Sequence, residues 1–207
     1  MYKFGPVTAS IMSELFPRSL SKGDQKRVKI LNAAIRMYAS LSVEDFATEE
    51  VARLAKISRP LLQHYYPNKK ELFRTAMKLV RAQFQDLAIH HIHSGKDSRE
   101  RIRRYIESTF EWYKVSPIHV KSWILFFQAC ANDKDIKADH TRMTKMGQER
   151  IVEMLKDGFD KGDLVLKAQT IQRLITGALI EIVTEDAIDL ELIQKQTVQI
   201  CMEIIER

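Results

Sequence analysis

From Asp24 onward, apolar residues recur along the chain at helical steps. Val28, Leu31, Ile35 and Tyr38 lie three and four apart, the stripe of an amphipathic helix that ends near Ser42. After a loop, Val51, Ala52, Leu54 and Ala55 mark a second, short helix. Leu72, Phe73, Ala76, Met77, Val80, Phe84 and Leu87 trace a long one, which Gly95 is expected to end by taking left-handed geometry after the C-cap. Further helices are predicted near 98–114, 117–131, 139–161, 168–185 and 189–206, and no proline follows Pro117 to interrupt them. The alternation of a half-buried strand is absent. The pattern predicts an all-α fold of about nine helices. Residues 1–23, with Gly5, Pro6, Pro17 and Gly23, read as an N-terminal arm with one short helical turn around 8–16.

The last two predicted helices are unusually greasy. Ile171, Leu174, Ile175, Ala178, Leu179 and Ile182 share one face, and Leu190, Ile193, Thr197, Ile200 and Ile204 another. Leu192, Val198, Met202 and Ile205 add more apolar surface than one neighbour covers. This surplus predicts a homodimer through a four-helix bundle made by two copies. The alternative is a pair wholly covered by its own chain.

Between Thr48 and Tyr66 a short helix, the connection Ala55-Lys56-Ile57-Ser58 and a second short helix follow one another. Ser58 suits an N-cap, since its hydroxyl can accept from an orphan amide, and Pro60 falls in the first turn, where its missing N–H is harmless. Pro67 forces Tyr66 out of helical geometry. The helix 59–65 is about 10 Å long, enough to lay two turns across a major groove. Arg59 can fork onto guanine or meet phosphate, Gln63 can pair with adenine or phosphate, and Pro60 and Leu61 can touch a thymine methyl. His64 and Tyr65 carry donors suited to the DNA backbone, and Leu62 is expected to point inward. Taken singly, each of these residues also reads as ordinary surface. Asn68 and Glu71 resemble a capping box, yet Lys69 and Lys70 place two cations at the positive end of the next helix. A phosphate held by the first-turn amides and Lys69 would compensate them.

Charge sharpens this picture. Residues 1–75 hold 13 Lys and Arg against 7 Asp and Glu, whereas residues 76–207 hold 20 of each, so the whole net charge of +6 is N-terminal. A basic module joined to a neutral one fits a partner that is a polyanion, although a surface imbalance of this size is modest. The two cysteines, Cys130 and Cys201, fit a reducing cytosol better than a disulfide framework. With no run of about 18 apolar residues and an N-terminal stretch interrupted by Ser10, Ser13 and Glu14, no membrane span or signal peptide is expected, and a cytoplasmic location is the expectation.

The segments Ile30-Leu31-Asn32-Ala33-Ala34, Tyr38, Val51 to Ser58 and Leu62 to Leu72 together resemble the DNA-binding domain of the TetR family over residues 24–75. The resemblance implies a three-helix helix-turn-helix domain, with its motif at about 47–66, followed by an effector-binding and dimerisation domain over 76–207. It implies base contacts from Arg59, Pro60 and Leu61, and phosphate contacts from Thr48, Gln63, His64, Tyr65 and Lys69. It also implies a homodimer built on the last two helices, a near-palindromic operator in double-stranded DNA, and a repressor released by a small-molecule effector. Four positions depart from the family pattern. Lys56 and Ser42 stand where glycines are usual, Gln63 where tyrosine is common, and Ala47 at the usual hydroxyl cap, leaving Thr48 as its substitute. A left-handed Lys56 costs about 1–2 kcal/mol, so a slightly remodelled turn is expected there.

For the C-terminal part, Phe110, Tyr113, Trp123, Phe126, Phe127, Met143 and Met146, with Trp112 and Met154, are candidates to line an apolar effector cavity. Such a set at helical spacing is more often core. His90, His91 and His93 form one tempting cluster, but only His90 and His93 have a spacing that shares a helix face, and no metal site or cofactor is expected. No nucleophile with its base and no glycine-rich phosphate loop is found, so an enzyme is the weaker reading and a helical adaptor a third.

Overall fold

A computed structural model describes Leu15 and residues 21–40, 47–159 and 162–207, which form nine helices and no strand. They are α1 (Lys22–Ser40), α2 (Thr48–Ala55), α3 (Arg59–Tyr65), α4 (Lys69–His93), α5 (Ser98–Val115), α6 (Pro117–Asn132), α7 (Lys134–Lys156), α8 (Leu164–Thr184) and α9 (Leu190–Glu206). The all-α expectation holds. The helical turn expected around 8–16 and the loop residue Ser42 fall outside the described residues, apart from Leu15.

Chain contacts divide the described residues into two compact units. The first contains α1, α2, α3, residues 69–85 of α4, and α6 with residues up to Ile136. Its core is the apolar stripe of α1 (Ile30, Leu31, Ala34, Ile35 and Tyr38) packed on α2 and α6. Val51 and Ala52 of α2 and Val120, Trp123 and Phe126 of α6 are buried with it. The Tyr38 ring meets Phe73 edge-on at 4.9 Å, and Trp123 stacks on Phe126 at 4.6 Å. Burying so much apolar area is the main stabilisation, about 25 cal/mol per Å² removed from water.

The second unit contains residues 86–115 and the described part of 137–207, with α9 packed on α5 and α8. Ile102, Ile106 and Phe110 of α5, Ile151, Met154 and Leu155 of α7, Ile171 and Ile175 of α8, and Cys201 and Ile205 of α9 are all buried. The Lys167 ammonium donates to the Ile205 carbonyl at 3.0 Å, satisfying an orphan acceptor at the end of α9 where a cation suits the helix dipole.

Three features differ from expectation for local reasons. Helix α7 starts at Lys134, five residues before the expected 139, because the Asp133 carboxylate accepts from the Asp135 and Ile136 amides. Helix α8 starts at Leu164 because Asp163 does the same for Val165 and Leu166. Gly95 follows the end of α4 without a positive φ, which corrects the left-handed expectation. Glycine is needed there because a Cβ would stand 2.7 Å from the Arg101 amide nitrogen.

Candidate nucleic-acid interface

Helix α3 is assembled by the devices its sequence announced. Ser58 is its extended N-cap, and its hydroxyl accepts from the Leu61 amide at 3.4 Å. Tyr66, extended ahead of Pro67, closes the helix through its amide to the Leu62 carbonyl. Leu62 is only 1% exposed and pins α3 to the core, while Arg59, Pro60, Gln63 and His64 face solvent and Leu61 and Tyr65 are half-buried. The seven-residue helix is therefore presented outward along its polar face. The His64 and Tyr65 rings meet edge-on at 5.5 Å.

The turn before α3 keeps left-handed geometry without glycine. Lys56 has φ 56° and ψ 47°, and the amides of Lys56 and Ile57 bond the Arg53 and Ala52 carbonyls. The turn is thus not remodelled; the chain tolerates strain at Lys56 instead, about 1–2 kcal/mol for a side chain in this conformation. Thr48 does not substitute as the cap of α2. Ala47 holds the extended N-cap position without a side-chain bond, and the Thr48 hydroxyl turns to the Glu49 carboxylate at 3.2 Å.

Glu49 is the residue that sequence reasoning missed. Its carboxylate meets the Arg59 guanidinium at 2.9 Å as well as the Thr48 hydroxyl. Its own backbone amide, Arg59 and then Thr48 and Lys69 hold its carboxyl below the ordinary range. Three expected DNA contacts, Thr48, Arg59 and Lys69, thus share one acidic neighbour. Arg59 remains 58% exposed at its side chain, so this pair is solvent-screened and readily exchanged for a phosphate or a base edge. The only signal in the sequence was an acid in the first turn of α2, which also reads as ordinary dipole compensation.

At the start of α4, Asn68 caps through its side-chain oxygen, which accepts from the Glu71 amide at 2.8 Å. Lys69 is exposed. The Lys70 ammonium sits 2.8 Å from Asp133 and 2.6 Å from Asp135. For Lys70 the expected phosphate compensation is therefore corrected, since two carboxylates at the start of α7 supply the negative charge. Lys26, Lys29 and Arg36 of α1, together with Lys56, line an open groove beside Leu54 and Ile57. This adds a basic surface that the motif alone did not indicate.

The aromatic candidates do not form one cluster by themselves. Trp123, Phe126 and Phe127 lie together with Phe73 in the first unit, whereas Phe110, Tyr113, Met143 and Met146 belong to the second. Phe110, Trp123, Phe126 and Met143 are buried, and Tyr113, Phe127 and Met146 are partly exposed. The His90 and His91 rings meet edge-on at 6.2 Å, and among the described residues no three His, Cys, Asp or Glu side chains are grouped to hold a metal. No disulfide joins Cys130 and Cys201, and burial pushes the Cys201 thiol up to about 12. Among the described residues no helix is long and apolar enough to cross a membrane.

Residues 30–76 match the family model described as bacterial regulatory proteins, tetR family. Among curated proteins the chain is similar to the HTH-type transcriptional regulator BetI of Escherichia coli O17:K52:H18, 21% identical over 104 residues that are 49% of this chain and 53% of the relative. It is also similar to BetI of Rhizobium meliloti, 22% identical over 112 residues, 54% of this chain and 55% of the relative. The chain thus spans about half the length of the curated relatives it matches. Among solved structures, a protein of Pseudomonas aeruginosa PAO1 described as a transcriptional regulator aligns with TM-score 0.77 at 20% identity, covering 90% of this chain and 91% of that one. A Saccharomonospora viridis protein, likewise described and solved with choline, aligns with TM-score 0.76 at 17% identity over 84% and 94%. These alignments extend the shared fold beyond the matched N-terminal segment.

Proposed function

We propose that the chain, whose residues 30–76 match the tetR family model, is a sequence-specific DNA-binding transcriptional regulator of that family acting as a homodimer. The observation that carries this reading is the outward display of α3. Leu62 is buried, while Arg59, Pro60, Gln63 and His64 are exposed and Lys69 flanks them. Arg59, Pro60 and Leu61 read bases in the major groove; Thr48, Gln63, His64, Tyr65 and Lys69 hold phosphates and set the register.

Support for the dimer comes from α8 and α9, which expose Val165, Leu166, Ile180, Leu192 and Ile200. A Cβ at Gly177 would meet nothing within 4 Å, so that stretch of α8 offers a close approach to a second helix. Pairing these faces about a twofold axis makes a four-helix bundle and places two α3 helices on successive major grooves, about 34 Å apart. The domain arrangement that goes with this reading is an arm over 1–23, a DNA-binding domain over 24–75 and an effector-binding and dimerisation domain over 76–207. The protein works in the cytoplasm as a repressor, and a small molecule favours a state in which the two α3 helices are wrongly spaced. Coupling of this kind is worth about 1–3 kcal/mol.

Selection of bound duplexes from a random DNA pool tests the proposal. The expected result is a near-palindromic site whose binding weakens steeply with salt. Recovery of asymmetric or unrelated sequences, or affinity indifferent to salt, overturns it.

A further inference from the structure

Helix α7 buries one cation, Arg150, that no carboxylate of the described residues neutralises. Arg150 is 6% exposed, and its Nε has no hydrogen-bond partner among the described residues. No carboxylate of the described residues pairs with it, although the other arginines with short ion pairs, such as Arg99 and Arg104, find Glu206 and Glu100 at the surface. Burial pushes the Arg150 pKa below its ordinary value, and Tyr105 acts on it in the opposite direction. A guanidinium nevertheless stays charged in proteins, so desolvation leaves a cation in need of a partner. An apolar side chain of the same size would serve packing better, which makes packing a poor reason for an arginine here.

The neighbouring turns point the same way. Met143, Gly147, Arg150 and Met154 form one inward stripe on α7, spaced four, three and four apart, and all four are buried. Gly147 leaves the turn before Arg150 without a side chain, in a helix interior where glycine is unfavourable. On α5, Tyr105 is buried, and one turn further on the same face Thr109 is fully buried, its hydroxyl without a partner among the described residues. A forked donor, a hydroxyl without a partner among the described residues, a missing side chain and two adaptable methionines thus belong to buried stripes of α7 and α5 within one unit, and Tyr105 of α5 acts electrostatically on Arg150 of α7.

We propose that the second unit binds an organic carboxylate with an apolar body, its carboxylate forked on Arg150 and its body among Met143, Met154 and the apolar face of α5. A monocarboxylate matches the single cation in charge and the guanidinium in planar geometry, whereas a phosphate dianion would leave a buried charge over. The same cation repels a quaternary ammonium such as choline. The proposal rests on the reading of this unit as the ligand-sensing part of the regulator, and it names the chemistry of the ligand.

The test uses the full chain, with octanoate, 1-octanol and choline as probes, read by calorimetry and thermal unfolding. Octanoate is expected to bind at least about tenfold more tightly than 1-octanol and to raise Tm, and choline to do neither. Arg150→Met is expected to abolish the preference for octanoate while the ligand-free protein keeps or gains Tm. Arg150→Lys, which keeps the charge but not the fork, is expected to retain part of the preference, and it decides the matter if the Met variant does not fold. Equal binding of octanol, no binding of octanoate, binding of choline at similar strength, or an octanoate preference that survives Arg150→Met overturns the proposal. Because none of these readouts involves DNA, a failed carboxylate site with an intact palindromic selection sinks this inference alone. A failed selection with an intact site sinks only the regulator reading.

Discussion

The α2–α3 segment and the α8–α9 pair expose opposite kinds of surface. The first displays Arg59, Gln63 and His64 around one buried leucine, while the second displays Val165, Leu166, Ile180, Leu192 and Ile200 beside a buried apolar face. Exposed cations and amides in one place and exposed aliphatic groups in the other are two solutions to one problem, which is to hold a partner that water competes for. A polyanion is held by charge and hydrogen bonds that salt weakens, and a second copy by apolar area that salt leaves intact. On the proposed function, assembly and DNA contact are therefore separable, and the following changes test that separation.

The largest effect is expected inside the α2–α3 segment. Leu62→Ala removes its buried anchor and should lower stability by about 2–5 kcal/mol, measured by denaturant unfolding. On the other side of the comparison, Leu192→Glu with Ile200→Glu places like charges across the proposed bundle, at several kcal/mol by the usual penalty for like-charge juxtaposition. Sedimentation should then report monomers that keep their helical content, and a dimer unchanged in mass would break the assignment of that face. Arg59→Ala should weaken binding to the selected site by about 1–3 kcal/mol and relax its sequence preference, with Tm unchanged. A smaller gain is expected from Lys56→Gly, which relieves the left-handed residue by about 1–2 kcal/mol and should raise Tm by a few degrees.

The smallest effect concerns charge near α4. Lys70 lowers the Asp133 pKa, chiefly through their hydrogen bond, so this tie contributes stability above the ordinary Asp value of about 3.9 and loses it as pH falls through the depressed one. Asp133→Asn keeps an acceptor for the α7 cap and removes only the charge. The stability gap between the two proteins should be present at neutral pH and close in acid; a gap that persists below the depressed value would assign the tie to the cap instead.

Helix α3 was legible almost residue by residue because its signals are local: Ser58 caps, Pro60 starts, Leu62 anchors and Pro67 stops. Helices α7 and α8 began earlier than periodicity suggested, since an apolar stripe reports the buried face of a helix and says nothing of the polar turn ahead of it. Their caps, Asp133 and Asp163, were visible residues given too little weight. The excess positive charge at the start of α4 correctly signalled a missing anion, but for Lys70 the partners stand more than sixty residues along the chain, where no local pattern reaches.

By itself, the order of apolar, capping and helix-breaking residues determined an all-α chain with a short, exposed helix carrying Arg59, because those features depend on neighbours three or four residues away. Only the tertiary structure decided that Glu49 stands against Arg59, that Lys70 is claimed by Asp133 and Asp135, and that Arg150 is buried with no carboxylate partner among the described residues. Electrostatic partnership depends on distance in space and on exclusion of water, and neither quantity is written in the spacing of residues along a chain.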